Sequence, residues 1–123
     1  MEGRFSARVG GLPEVQARGR SYFVRVVVRN QGPWLKNFCL DFGDSNNSWL
    51  IRMSGLRAYD SDTFCAPVLK GGVKTFIARL VPAKSGQKKL SIAVGPAKIY
   101  SNINRALVDS EKGLYWEDSF VIL

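Results

Sequence analysis

The chain has 123 residues, 46% of them hydrophobic, and 18 lysines and arginines against 10 acids give it a formal net charge of +8. That length and apolar content suit one domain, residues 1–123, able to bury a core without metal or extra cross-links. Histidine is absent, which removes Ser-His-Asp and Cys-His catalysis and every histidine-containing zinc site, since each needs imidazole to move a proton or hold the metal.

A short strand is expected at Phe5 to Val9, before the Gly10-Gly11 turn pair. From Arg20 to Asn30 the residues alternate, with Tyr22, Val24, Val26 and Val28 on one face and Phe23, Arg25, Val27 and Arg29 on the other, a strand period and not a helical one. The valine face, with Tyr22, is the inner one, and Phe23 is the aromatic left outside. Gln31-Gly32-Pro33 breaks the run; Phe38, Leu40 and Phe42 resume it with Asn37, Cys39 and Asp41 opposite. Gly43-Asp44-Ser45-Asn46-Asn47 is a turn cluster. Asn46-Asn47-Ser48 fits the glycosylation pattern, but in the absence of a signal segment it reads as a polar turn. Trp49, Ile51 and Met53 form a third run, with Trp49 expected in the core.

Further strands are expected at Thr63 to Leu69, Val73 to Val81, Lys88 to Gly95 and Ser119 to Leu123, with Lys70-Gly71-Gly72 and Lys84-Ser85-Gly86 as hairpin connections. The helical signal is confined to Asn102 to Leu107, which reads equally as one turn in the connection before Tyr115. Phe120-Val121-Ile122-Leu123 alternates as a final core strand; the alternative is an apolar tail that pairs with a neighbour. Seven or eight short strands between Gly, Pro and Asn turns imply an all-β sandwich or barrel.

Four stretches narrow that class. Phe23 to Gly32 ends a strand in Asn30; Leu35-Lys36-Asn37-Phe38 opens the next; Pro67 to Lys74 and Ala78 to Pro82 follow with a Pro-x-x-x-Gly opening. In this order the chain resembles the immunoglobulin-like appendage, or "ear", domains of adaptor complexes. More weakly it is similar to the C-terminal β domains of transglutaminases, through Pro82 and Ser85-Gly86-Gln87-Lys88-Lys89-Leu90. The resemblance covers roughly residues 20 to 95 and implies an immunoglobulin-like antiparallel β-sandwich of about 7–8 strands. Its peptide sites cannot be carried over by position.

Residues 70–98 hold Lys70, Lys74, Arg79, Lys84, Lys88, Lys89 and Lys98 and no acid. If the strands flanking Lys84-Ser85-Gly86 pair, Lys74 and Lys88-Lys89 lie close and build a positive strip for acidic protein, phosphate or nucleic acid. The competing reading is that these lysines keep the surface soluble and block edge pairing. Trp34, in a loop after Gly32-Pro33, and Trp116, among Tyr115, Glu117 and Asp118, are candidate interface anchors, the alternative being that they cap the open ends of the sandwich.

Nothing builds a catalytic or metal site. Asp41 with Asp44, or Asp60 with Asp62, lacks the loop spacing of a calcium site, and the turn reading suits Asp60-Ser61-Asp62 better. No cofactor motif is present. Cys39 and Cys65 are too few for tetrahedral zinc. Two buried free thiols are expected, with an inter-sheet disulfide as the alternative. The N-terminal residues Glu2, Arg4 and Arg8 form no apolar signal segment, and Val26-Val27-Val28 between two arginines spans no membrane, so cytosolic or nuclear residence is expected. The sequence therefore points to a noncatalytic protein-interaction module, an appendage or subunit of a larger assembly, using Lys74, Lys84, Lys88, Lys89, Trp34 and Trp116 on acidic or peptide partners. The alternative is a nucleic-acid or anionic-surface binder using the same lysines.

Overall fold

A computed structural model describes residues 4–44, 47–53, 57–58, 63–100 and 105–123. The strands are β1 (Phe5–Gly10), β2 (Val15–Gln16), β3 (Tyr22–Asn30), β4 (Lys36–Asp44), β5 (Trp49–Arg52), β6 (Arg57–Ala58), β7 (Thr63–Val68), β8 (Val73–Pro82), β9 (Gly86–Tyr100), β10 (Arg105–Val108) and β11 (Leu114–Ile122). One sheet runs β1-β3-β8-β5; the other runs β2-β11-β9-β4-β7-β6, with β10 paired to β9. The pairings are antiparallel apart from β2 with β11.

The core lies between the sheets. Val24, Val26 and Val28 of β3 and Phe76, Ala78 and Leu80 of β8 pack in one cluster with Phe38, Leu40 and Phe42 of β4 and Leu90, Ile92 and Val94 of β9. The alternation read from β3 is the alternation observed, because a strand has two faces and only one is covered. Tyr22 sits half-buried at its start, its hydroxyl oxygen accepting the Ala17 N–H at 2.7 Å. Trp49 is buried, its indole N–H donating to the side-chain oxygen of buried Gln16 at 2.9 Å.

Four expectations need correction. Lys70-Gly71-Gly72 and Lys84-Ser85-Gly86 are not hairpins: β7 and β9 belong to one sheet and β8 to the other, so both segments turn corners between layers. The reason is that β8 pairs with β3 from Tyr22↔Leu80 to Arg29↔Val73, which places the inward faces of both strands on the same side. The expected helix or turn at Asn102 to Leu107 contains β10 instead; residues 101–104 lie outside the described part of the chain. The last residues of β9 offer a backbone ladder, and Arg105 to Val108 pair with Tyr100 to Ala97.

Third, β9 runs past the expected stop at Gly95. It changes partner there, pairing with β11 through Val94 and with β10 from Ala97, so Pro96 interrupts neither of those ladders.

Fourth, the cysteines are not free thiols, nor do they join the two sheets. Cys39 and Cys65 stand directly opposite on β4 and β7 and form a disulfide within one sheet. Both are buried although they lie on its outer side, because Val108 packs over them with Ala93 and Ala97 beside it. Two glycines allow this close approach: a Cβ on Gly95 would stand 2.8 Å from the Gly113 Cα, and one on Gly113 would stand 2.6 Å from a Val108 methyl. The bridge closes a loop with a sequence separation of 26. Cys39→Ala/Cys65→Ala should therefore lose about 3 kcal/mol of stability in urea unfolding, followed by tryptophan fluorescence.

Candidate binding surface

The period that buries the valines forces a second set of side chains outward. On the outer side of the β1-β3-β8-β5 sheet, Arg8, Arg25, Arg29, Arg52 and Arg79 are exposed. Between them Phe23, Leu50, Val73 and Ile77 are 49–50% exposed. The register interleaves the two kinds: Phe23 pairs with Arg79, Arg25 with Ile77 and Arg29 with Val73. None of the four strands contains an aspartate or glutamate. Such a face combines apolar area that gains from leaving water with guanidiniums suited to carboxylates.

The six residues proposed from sequence do not converge. Lys74 stands in the inward register of β8, opposite Val28, with its ammonium 5.9 Å from the centre of the Phe76 ring. Lys84 follows the other end of β8, about 26 Å away at a rise of about 3.3 Å per residue. Lys88 and Lys89 belong to β9, opposite Phe120 and Ser119 of β11. Three of the lysines thus share one end of the sandwich and Lys74 occupies the other, because Lys74 stands near the start of β8 while the other three follow its far end.

Trp34 is 62% exposed at the Lys74 end. Its main chain is held by Asn30, a buried side chain that donates to the carbonyls of Trp34 at 2.8 Å and Val68 at 3.0 Å and accepts from the Gly32 N–H at 3.0 Å. Trp116 is half-buried, its ring 6.4 Å from Phe120, and it lines an apolar groove of about 270 Å³ with Ala7, Val9, Ile92, Val94 and Leu114. The groove runs between the edge strand β1 and β11.

Asp41 and Asp44 serve the main chain. Asp44 accepts from the N–H groups of Ser48 at 2.6 Å and Trp49 at 3.0 Å, and Asp41 accepts from the Val108 N–H at 3.1 Å. Asp60 and Asp62 lie outside the described residues. Among the described residues, no three His, Cys, Asp or Glu side chains gather as a metal site.

No protein-family model matches the sequence, and no curated protein matches it. Solved structures do. A CARDB domain from Pyrococcus furiosus, solved in complex with di-metal ions, superposes with a TM-score of 0.61 at 11% identity, over 98% of this chain and 89% of that one. The fold is an immunoglobulin-like β-sandwich. A chain of the human seminal-plasma complex of zinc 2-glycoprotein with prolactin inducible protein matches at a TM-score of 0.61 and 10% identity, over 95% and 93%. A family 123 glycoside hydrolase from Clostridium perfringens matches at 0.65 and 16% identity, over 98% of this chain but 27% of that enzyme. These identities carry the fold alone, and they do not single out the adaptor ear or the transglutaminase domain.

The arginine face escapes a count of charges along the chain, which favours residues 70–98. Its signal is the pairing of two alternations: Arg25 and Arg29 join Arg79 only once β3 lies beside β8. Asn30 supports the Trp34 end of this sheet. Asn30→Asp keeps the acceptor for Gly32 but withdraws the donor from two carbonyls, so thermal or urea unfolding should show a loss of about 2–3 kcal/mol.

Proposed function

We propose that the chain is a noncatalytic protein-interaction module, an appendage or subunit of a larger assembly, that docks an acidic partner on the outer face of the β1-β3-β8-β5 sheet. The observation that carries this reading is the acid-free checkerboard of five exposed arginines and four exposed apolar side chains. Trp34 supplies an anchor at one end, and Lys84, Lys88 and Lys89 add long-range attraction at the other. The absence of histidine and the structural use of Asp41 and Asp44 favour binding over catalysis.

Single-stranded nucleic acid is the second reading, since arginines beside an exposed Phe23 could stack and pair with bases. Phe23 is the one aromatic in the outward register of these four strands; Phe5, Tyr22, Trp49 and Phe76 fall in the inward one. A stacking surface uses several, which favours protein. The Cys39–Cys65 bridge supports an oxidising compartment over the cytosolic or nuclear residence expected from sequence.

Affinity capture from nuclease-treated extract tests the reading with two folded variants, Arg25→Glu/Arg79→Glu and Lys84→Glu/Lys88→Glu/Lys89→Glu. Defined proteins held by the native domain should fall at least tenfold with the arginine variant and far less with the lysine variant. Retention that nuclease abolishes would replace the protein reading with the nucleic-acid one.

A further inference from the structure

We infer that the open edge of β1 receives an extended segment of a partner, added as a fifth strand to the four-stranded sheet, with side chains that alternate between apolar and acidic. The inference rests on the interaction-module reading and names the partner's chemistry. Among the described residues β1 pairs only with β3, from Phe5↔Asn30 to Gly10↔Arg25.

The hydrogen-bonding phase of this edge is fixed. The Gln31 N–H donates to the Arg4 carbonyl at 3.0 Å, so in the same register Ser6, Arg8 and Gly10 turn their main-chain groups toward β3. Phe5, Ala7 and Val9 turn theirs away. These three also carry the inward side chains, each half-buried. The free donors and acceptors of the edge therefore sit directly beside the apolar groove.

β1 is flanked by two unlike depressions. On its inner side is the groove of about 270 Å³ walled by Val94, Leu114 and Trp116. On its outer side, over β3 and behind the edge, is a depression of about 310 Å³ walled by Arg8, Arg29 and Val73 over the small Ser6. An added strand sends alternate side chains to these two sides. Apolar groups enter the first; carboxylates meet Arg8 on the second. Arg29 and Arg25 stand behind Ser6 and Gly10, the partners of the register, and residues that small leave room for both guanidiniums to reach the new strand.

The same charges select against a second copy of this chain. Two β1 edges paired to each other would bring Arg8, Arg25 and Arg29 of both copies together, and rows of like charge oppose such pairing. An acidic strand gains from the field that a second copy would suffer.

The probe is a fluorescein-labelled ten-residue peptide of alternating valine and glutamate, read by anisotropy, with two controls: the same composition in two blocks, and alternating valine and lysine. The alternating acidic peptide should bind at least tenfold more tightly than either control and slow amide exchange at Phe5, Ala7 and Val9. Ala7→Pro removes an outward N–H and leaves the β3 ladder intact, so it should weaken binding at least tenfold with an unchanged melting temperature. Should that variant fold poorly, Arg8→Glu/Arg29→Glu keeps the test, with the same tenfold loss expected. Absence of binding, equal binding of all three peptides, or protection at a different strand overturns the inference. If Ala7→Pro still retains the extract proteins that Arg25→Glu/Arg79→Glu loses, the edge is wrong and the module reading stands. If the native domain retains nothing, the module reading fails first.

Discussion

The pairing of β3 with β8 is the constraint on which the rest depends. It sets Val24 opposite Ala78 and Val26 opposite Phe76, and burial of that inward row of apolar side chains is the main favourable term in forming the sandwich. A slip of one residue would turn arginines into the core and valines into water. The register is therefore held by the core, and the outer row of arginines and apolar residues follows without further cost. A surface suited to binding is in this sense the reverse side of a packing solution.

The two sheets treat their outer faces differently. On the larger sheet, Cys39 and Cys65 are cross-linked and Val108 closes over them, an approach that Gly95 and Gly113 make possible. On the smaller sheet the outward arginines and Phe23, Leu50, Val73 and Ile77 remain in water. A cross-link and a lid stiffen one side while the other keeps apolar area and charge available to a partner. Asn30 ties the second to the first, since its amide holds both the Trp34 loop and the end of β7.

Much of the fold is legible in the sequence because alternation is a local property. Phe38, Leu40 and Phe42 announce β4, and the valines announce β3, with no knowledge of their neighbours. What is not legible is which strands share a sheet. Gly71 and Gly86 mark tight turns, but a hairpin and an inter-sheet corner use the same left-handed residues. The lysines of residues 70–98 look like one strip along the chain, but the length of β8 sets Lys74 at one end and Lys84, Lys88 and Lys89 at the other. The disulfide is hidden for the same reason: Cys39 and Cys65 face each other only through the β4–β7 register. β10 is hidden because its pairing depends on how far β9 continues past Pro96. The candidate surface was half visible, in the outward row of β3, and needed β8 and β1 beside it to acquire its other arginines.

Among the described residues the smaller sheet ends at β1 in an open, hydrogen-bonding edge beside its arginine face. Residue-resolved amide exchange on the free protein reads that edge. The amides of Ser6 and Arg8, bonded to β3, should be protected, and those of Phe5, Ala7 and Val9 should exchange at rates near those of unstructured backbone. Uniform protection of all five would mean that the edge is already occupied and closed to a partner strand.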